Sequence, residues 1–214
     1  MSLTKYLKRT ELRAAGWTSR GYLPHFDGRE VPQFITLRLA DSVPRSVIER
    51  WNLELDTRNS KHDQALLRSR IEKYMDQGFG NAYLKIPRLS TIVQEALLRD
   101  DGKKYRLTAW VVMPNHAHLL LTRFPPLTIA TIMQSFKSLT AHRANELLKR
   151  RGAFWMPDYF DRYIRNVRHY QKTIEYIEKN PVHARLCSRP EDYRFSSAGF
   201  RKVLVADNRE ENFA

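Results

Sequence analysis

Residues 105–123, YRLTAWVVMPNHAHLLLTR, hold two β-rich apolar runs parted by Pro114 and Asn115. Each run, 105–113 and 116–123, has the length and residue types of a strand. The two-residue break predicts an antiparallel hairpin, although Pro-Asn is not a favoured hairpin pair. Upstream, residues 33–40 (QFITLRLA) alternate and read as another strand. Asp41, Ser42 and Pro44 then mark a turn and a helix start. Helices are expected over 46–54, 63–76 (DQALLRSRIEKYMD) and 89–98 (LSTIVQEALL), punctuated by Gly78, Gly80 and Gly102. Downstream, residues 128–151 form a long basic helix with apolar Ile129, Ile132, Met133, Phe136 and Leu139. Residues 159–165 (YFDRYIR) alternate like a short strand, and 166–179 read as a helix. Pro181 should end that helix at Asn180, because proline disfavours helix at the residue before it. The order is βαββαβ, which predicts an α+β fold, a ferredoxin-like sandwich with a central antiparallel sheet. One domain over 1–214 is expected, with a basic N-terminal arm at 1–32 and a frayed tail at 200–214.

The charge speaks to a partner. The chain has 214 residues, with 37 Lys and Arg against 23 Asp and Glu, a formal net charge of +14. That excess predicts a polyanion, foremost nucleic acid, bound through steering and counterion release. A hydrophobic content of 42% excludes a mostly disordered chain. Cys187 is the only cysteine, which excludes an internal disulfide framework and a cysteine-rich zinc site. The single thiol and the opening MSLTKYLKRTELR, without an apolar core, predict a cytoplasmic protein. No run approaches the roughly 18 apolar residues of a membrane span, so no membrane partner is expected.

A few residues carry candidate chemistry. His116 and His118 stand two apart in a strand, so both imidazoles share one face. They read either as half of a metal site or as two hydrogen-bonded strand histidines. Tyr176 and Asn180 lie four apart on one helix, with Lys172 four residues earlier on the same face. That alignment reads as a nucleophile with a ligand and a cation, or as an amphipathic helix whose Asn180 is a C-terminal cap. Two basic runs bracket these residues. One holds Lys137, Arg143, Lys149, Arg150 and Arg151 against Glu146; the other holds Arg162, Arg165, Arg168 and Lys172 among others. Such runs are either solvated faces or tracks for a phosphate backbone.

The segment WVVMPNHAHLLL resembles the HUH motif (His, hydrophobic, His) of single-strand DNA transposases. The segment YFDRYIRNVRHYQKTIEYIEKNPV resembles the single-tyrosine helix of the same superfamily. GYLPHFD and PQFITLRLADSVP also resemble the first-strand region of the REP-associated tyrosine transposases and their relatives. The resemblance runs from about residue 21 to 197, with a divergent helical stretch at 51–85. It implies that His116 and His118 are metal ligands, Tyr176 the nucleophile and Asn180 a third ligand. Two imidazoles and an amide would by themselves suit manganese or zinc; the resemblance implies a divalent Mg or Mn ion. It implies a metal-dependent endonuclease and strand transferase that acts on single-stranded or hairpin DNA through a 5′-phosphotyrosine. The protein would be a monomer or a homodimer, and the arm would recognise the hairpin. DNA contacts are expected from Lys137, Arg143, Arg162, Arg165, Arg168 and Lys172. Two other readings stand beside this one: an inactive nucleic-acid-binding protein that kept the fold, and an HxH metal hydrolase that uses water.

Overall fold

The computed structural model describes residues 17–20, 23–26, 31–56 and 60–211; the rest of the N-terminal arm lies outside the described residues. Within the arm, β1 (Trp17–Arg20) and β2 (Leu23–Phe26) pair as an antiparallel hairpin. No sustained periodicity marks these residues in the sequence, and four-residue strands are too short to show one. Next come β3 (Gln33–Arg38), α1 (Arg45–Glu54), α2 (Lys61–Asp76) and α3 (Pro87–Asp100). The hairpin of β4 (Tyr105–Val112) and β5 (His116–Arg123) follows, then α4 (Ile129–Leu147), β6 (Phe160–Tyr163), α5 (Val167–His183) and α6 (Ser197–Glu211).

The main sheet has the order β4-β5-β3-β6, antiparallel throughout. This is the expected α+β, ferredoxin-like sheet, with the first and third strands of the βαββαβ repeat at its centre. The strand period sorts the core into two layers. Ile35, Leu37, Leu119 and Leu121 face α3 and α4 in the larger cluster. Phe34, Val111 and Leu120 face the other way, where Ile177 and Tyr176 of α5 pack on them. A bulge at Thr108 shifts the β4 register between Leu107 and Ala109. The Tyr170 hydroxyl donates to the displaced Thr108 hydroxyl at 3.1 Å, which ties α5 to that bulge.

Two expectations need correction. First, α5 does not stop at Asn180: it runs through Pro181 to His183. Proline inside a helix costs on the order of 3 kcal/mol. Here Pro181 is buried, and the turn after it closes with Leu186 N–H donating to Pro181 O and Arg185 N–H to Val182 O. Arg185 takes the left-handed conformation, φ 57°, that this closure needs. Second, the tail expected to fray after Phe200 is helical as far as Glu211. Ion pairs anchor its start: Arg201 donates to Glu178 of α5 at 2.7 Å, and Lys202 to Asp192 at 2.8 Å.

This last helix braces the tyrosine helix. Ser197 Oγ donates to Glu178 Oε1 at 2.8 Å and accepts from Trp110 N–H at 3.3 Å, so α6 bridges α5 and β4. Gly199 permits the approach, because a Cβ there would stand 2.2 Å from the Tyr193 carbonyl oxygen. Gly199→Ala should therefore destabilise the protein by about 1–3 kcal/mol, as overpacking does. Urea unfolding measures this; an unchanged midpoint would show that the junction is pliable.

Candidate active site

His116 and His118 lie on the α5 side of β5, opposite Arg38 and Thr36 of β3. Both imidazoles are wholly buried. Asn115 orients the first. Its Nδ2 donates to Phe79 O at 2.9 Å, so its Oδ1 is the atom 2.8 Å from His116 Nδ1. His116 Nδ1 therefore carries the proton, and Nε2 presents a lone pair. His118 Nδ1 lies 2.9 Å from the Thr36 hydroxyl. The two rings are 4.6 Å apart between centroids, and neither Nε2 has a hydrogen-bond partner. Burial pushes His116 down to about 3 and His118 well below the usual histidine range, so both are neutral at physiological pH.

Helix α5 adds the other two candidates. Asn166 caps its start by accepting from His169 N–H at 2.8 Å. One turn separates Tyr176 from Asn180, and the Tyr176 ring lies 5.4 Å from that of His118. Asn180 is no cap, since the helix continues past it and ends on Ala184. It is buried, and its Oδ1 has no hydrogen-bond partner. Burial and the nearby Glu72 and Asp76 push the Tyr176 phenol above its ordinary value; Arg162 and a side-chain hydrogen bond with Asn180 pull it back.

Glu72 and Asp76 come from α2, which the sequence left in a divergent stretch. Arg68, Glu72 and Asp76 follow at four-residue steps and so share one helix face. Arg68 lies over the Phe160 ring at 4.8 Å, Glu72 lines the pocket of Tyr176, and Asp76 Oδ1 is 3.8 Å from His116 Nε2. The four-residue spacing was legible, but no signal placed the helix across the sheet. Arg38 was also missed. Burial lowers its guanidinium, against the pull of Asp158.

A pocket of about 220 Å³ opens beside Tyr176 and is lined by Phe34, Glu72, Arg162, His169, Lys172 and Thr173. Arg162 and Lys172 thus join the nucleophile candidate. Arg165 and Arg168 are exposed near the start of α5. The other two basic candidates stand apart. Arg143 is exposed on α4, across the sheet from Tyr176, and Lys137 of that helix donates to the Pro157 carbonyl at 2.6 Å.

The residues fit a divalent ion. Among the described residues no three histidine, cysteine or acidic side chains form a cage. The set that gathers is His116 Nε2, His118 Nε2 and Asn180 Oδ1, polar atoms without a hydrogen-bond partner; His118 Nε2 is an acceptor in the tautomer whose Nδ1 donates to Thr36 Oγ1. Each buried polar atom left unpaired costs about 1–3 kcal/mol, which a bound cation would offset.

Residues 79–180 match the family described as transposase IS200 like. The structure of a REP-associated tyrosine transposase bound to a REP hairpin is 16% identical. That match covers 84% of this chain and 82% of the other, with a TM-score of 0.53, a likeness of fold. A Deinococcus radiodurans R1 protein assigned as a transposase is 17% identical over 76% of this chain and 96% of its own. Its TM-score of 0.34 carries no argument. Comparison with curated proteins finds no match. No helix among the described residues is long and apolar enough to cross a membrane. The segment that carries His116, His118, Tyr176 and Asn180 thus lies within the stretch that matches the IS200-like transposase family.

Proposed function

We propose that this protein is a metal-dependent single-strand DNA endonuclease and strand transferase whose nucleophile is Tyr176. One observation carries the reading: three buried polar atoms without hydrogen-bond partners, on His116, His118 and Asn180, gather beside a phenol. A divalent Mg or Mn ion held by those atoms would polarise a phosphodiester oxygen and stabilise its developing charge. Tyr176 Oη attacks phosphorus; the Oη–P bond forms as the P–O3′ bond breaks. The products are a 5′-phosphotyrosine and a free 3′-OH, with the phenol proton and the proton gained by O3′ exchanged with water. One phosphodiester replaces another, so rejoining needs no external energy source. Arg162 and Lys172, in the same pocket, offset the phosphate charge, and Arg162 also favours the phenolate.

The formal charge of +14 and the hairpin bound by the structurally similar transposase support hairpin-forming repeat DNA as substrate. Tyr176 lies against His118 of its own chain, which supports a tyrosine acting in cis, compatible with a monomer or a homodimer. The test is incubation with labelled single-stranded hairpin DNA and Mn or Mg, followed by denaturing electrophoresis. A covalent adduct is expected. Cleavage without an adduct would indicate a water-using hydrolase, and binding without cleavage an inactive relative.

Binding itself should depend steeply on salt. A phosphate contact contributes about −0.7 to the logarithmic salt slope on a single strand and about −0.9 on duplex. Arg165→Gln and Arg168→Gln should each weaken binding to all sequences and flatten the slope by about one contact. Titrations at several salt concentrations measure this. Unchanged slopes would move the DNA path away from the start of α5.

A further inference from the structure

We propose that Phe79, backed by Tyr74 and Trp51, is a stacking platform for an unpaired nucleobase of the DNA strand that enters the active site. The inference rests on the single-strand reading above and adds a base contact to it; Trp51 and Tyr74 precede the residues that match the transposase family. The three rings form a short column. Trp51 of α1 packs edge-on to Tyr74 of α2 at 5.8 Å, and the Tyr74 ring lies 4.5 Å from that of Phe79, tilted by 34°. Tyr74 thus covers one side of the outermost ring. Phe79 is still 45% exposed, in a turn otherwise made of Gln77, Gly78, Gly80 and Asn81. A solvent-facing phenyl ring adds little to the core, whereas its π-face suits any base.

The turn is fixed and stands beside the histidines. Gly78 and Gly80 take φ of 74° and 84°, a conformation open to glycine at no steric cost. At Gly80 a Cβ would meet the Asp41 carbonyl oxygen at 2.6 Å, and Asp41 Oδ2 accepts from Asn81 N–H at 2.9 Å, so the turn is pinned to the chain just after β3. Phe79 O accepts from Asn115 Nδ2 at 2.9 Å, and Asn115 Oδ1 lies 2.8 Å from His116 Nδ1. Two hydrogen bonds therefore connect the Phe79 backbone to a candidate metal ligand. A ring held out on a fixed turn loses little entropy when a base settles on it. The surroundings favour a polyanion. Glu49 and Glu54 of α1 are engaged by Arg45 and Arg70, whereas Arg50 and Lys73, next in sequence to Trp51 and Tyr74, are exposed. A second copy of a chain with formal charge +14 would bring like charge to this face, whereas a DNA strand brings phosphates between its bases.

The experiment compares binding of the full chain to a labelled oligo-dT strand and to an abasic strand of the same length, which keeps the phosphates and lacks the bases. Wild type should prefer oligo-dT. Phe79→Ala should weaken oligo-dT binding by about 5–100-fold, the span of one base–aromatic stack, and leave binding to the abasic strand unchanged. Phe79→Trp keeps an aromatic face and should retain the preference. Leu53→Ala, at an aliphatic side chain that is 90% exposed on α1, should change neither affinity. If Phe79→Ala binds both strands as wild type does, or loses equally on both, no base stacks on Phe79 and the proposal is overturned. A shift toward monomer in sedimentation, with DNA binding unchanged, would overturn it in favour of a contact between copies of the chain. If wild type binds neither strand at low salt, the single-strand reading itself fails, and the platform with it.

Discussion

The Tyr176→Phe protein should bind hairpin DNA at wild-type strength and form no covalent adduct. The substitution removes one oxygen and leaves the ring, which packs edge-on to Phe34 at 5.9 Å and beside His118. Folding should therefore be nearly unchanged. The hydroxyl is half-buried and interacts with Asn180, so its loss should cost no more than about 0.5–1.5 kcal/mol. The chemical effect is far larger. Three other tyrosines are committed elsewhere: Tyr105 to Leu97 O, Tyr193 to Val112 O and Tyr170 to Thr108. Cleavage should fall by at least about 10³-fold, the loss typical of removing a nucleophile. Electrophoresis of labelled hairpin DNA reads both the adduct and the cut strand. An adduct in the Tyr176→Phe protein would transfer the role to another tyrosine. Cleavage kept without an adduct would favour a water-using hydrolase.

The part of the site that sequence reveals is the part that local period controls. Strand alternation puts His116 and His118 on one face, and helical spacing puts Tyr176 and Asn180 on one face; the structure keeps both relations. Neither period says that the two faces meet. That depends on β3 entering between β5 and β6, a pairing between residues about 80 positions apart in the chain. The resemblance to a known family supplied it. The sheet was legible for the same local reason, and the span of β5 agrees residue for residue.

What stayed hidden depends on tertiary placement. Helix α2 was expected over 63–76, but an amphipathic stretch does not name the surface it will cover. Arg68, Glu72 and Asp76 read as ordinary helix charges until the helix crosses Phe160 and His116. The bulge at Thr108 resets the alternation of β4, so Leu107 and Val111 share parity in sequence yet face opposite layers. Pro181 misled because the rule against proline inside helices is local, while Pro181 is buried in the packed structure. Lys137 counted as a basic DNA candidate, yet its ammonium is tied to the Pro157 carbonyl.

His118→Ala should abolish divalent-ion binding and adduct formation together, without abolishing DNA binding. His118 Nε2 is one of three polar atoms that lack a hydrogen-bond partner at the site, and alanine replaces it with nothing. Water cannot readily substitute, because Phe34 stacks on the ring at 5.3 Å and the side chain has no exposure. Two opposing effects set the stability change. The substitution relieves an unpaired buried polar atom worth about 1–3 kcal/mol in the metal-free protein. It also leaves a cavity under Phe34 and strips Thr36 of its partner, which together cost about the same. The melting temperature in chelator should thus move little, whereas the rise on adding Mn should vanish. Binding to hairpin DNA should survive, because the exposed cations near the start of α5 do not depend on the ion. If the Mn-induced rise persists in His118→Ala, the imidazole is a structural strand histidine and the cation sits elsewhere. If the rise is lost but adduct forms at wild-type rate, the site binds metal without using it, and Tyr176 must draw its activation from Arg162 and Lys172 instead.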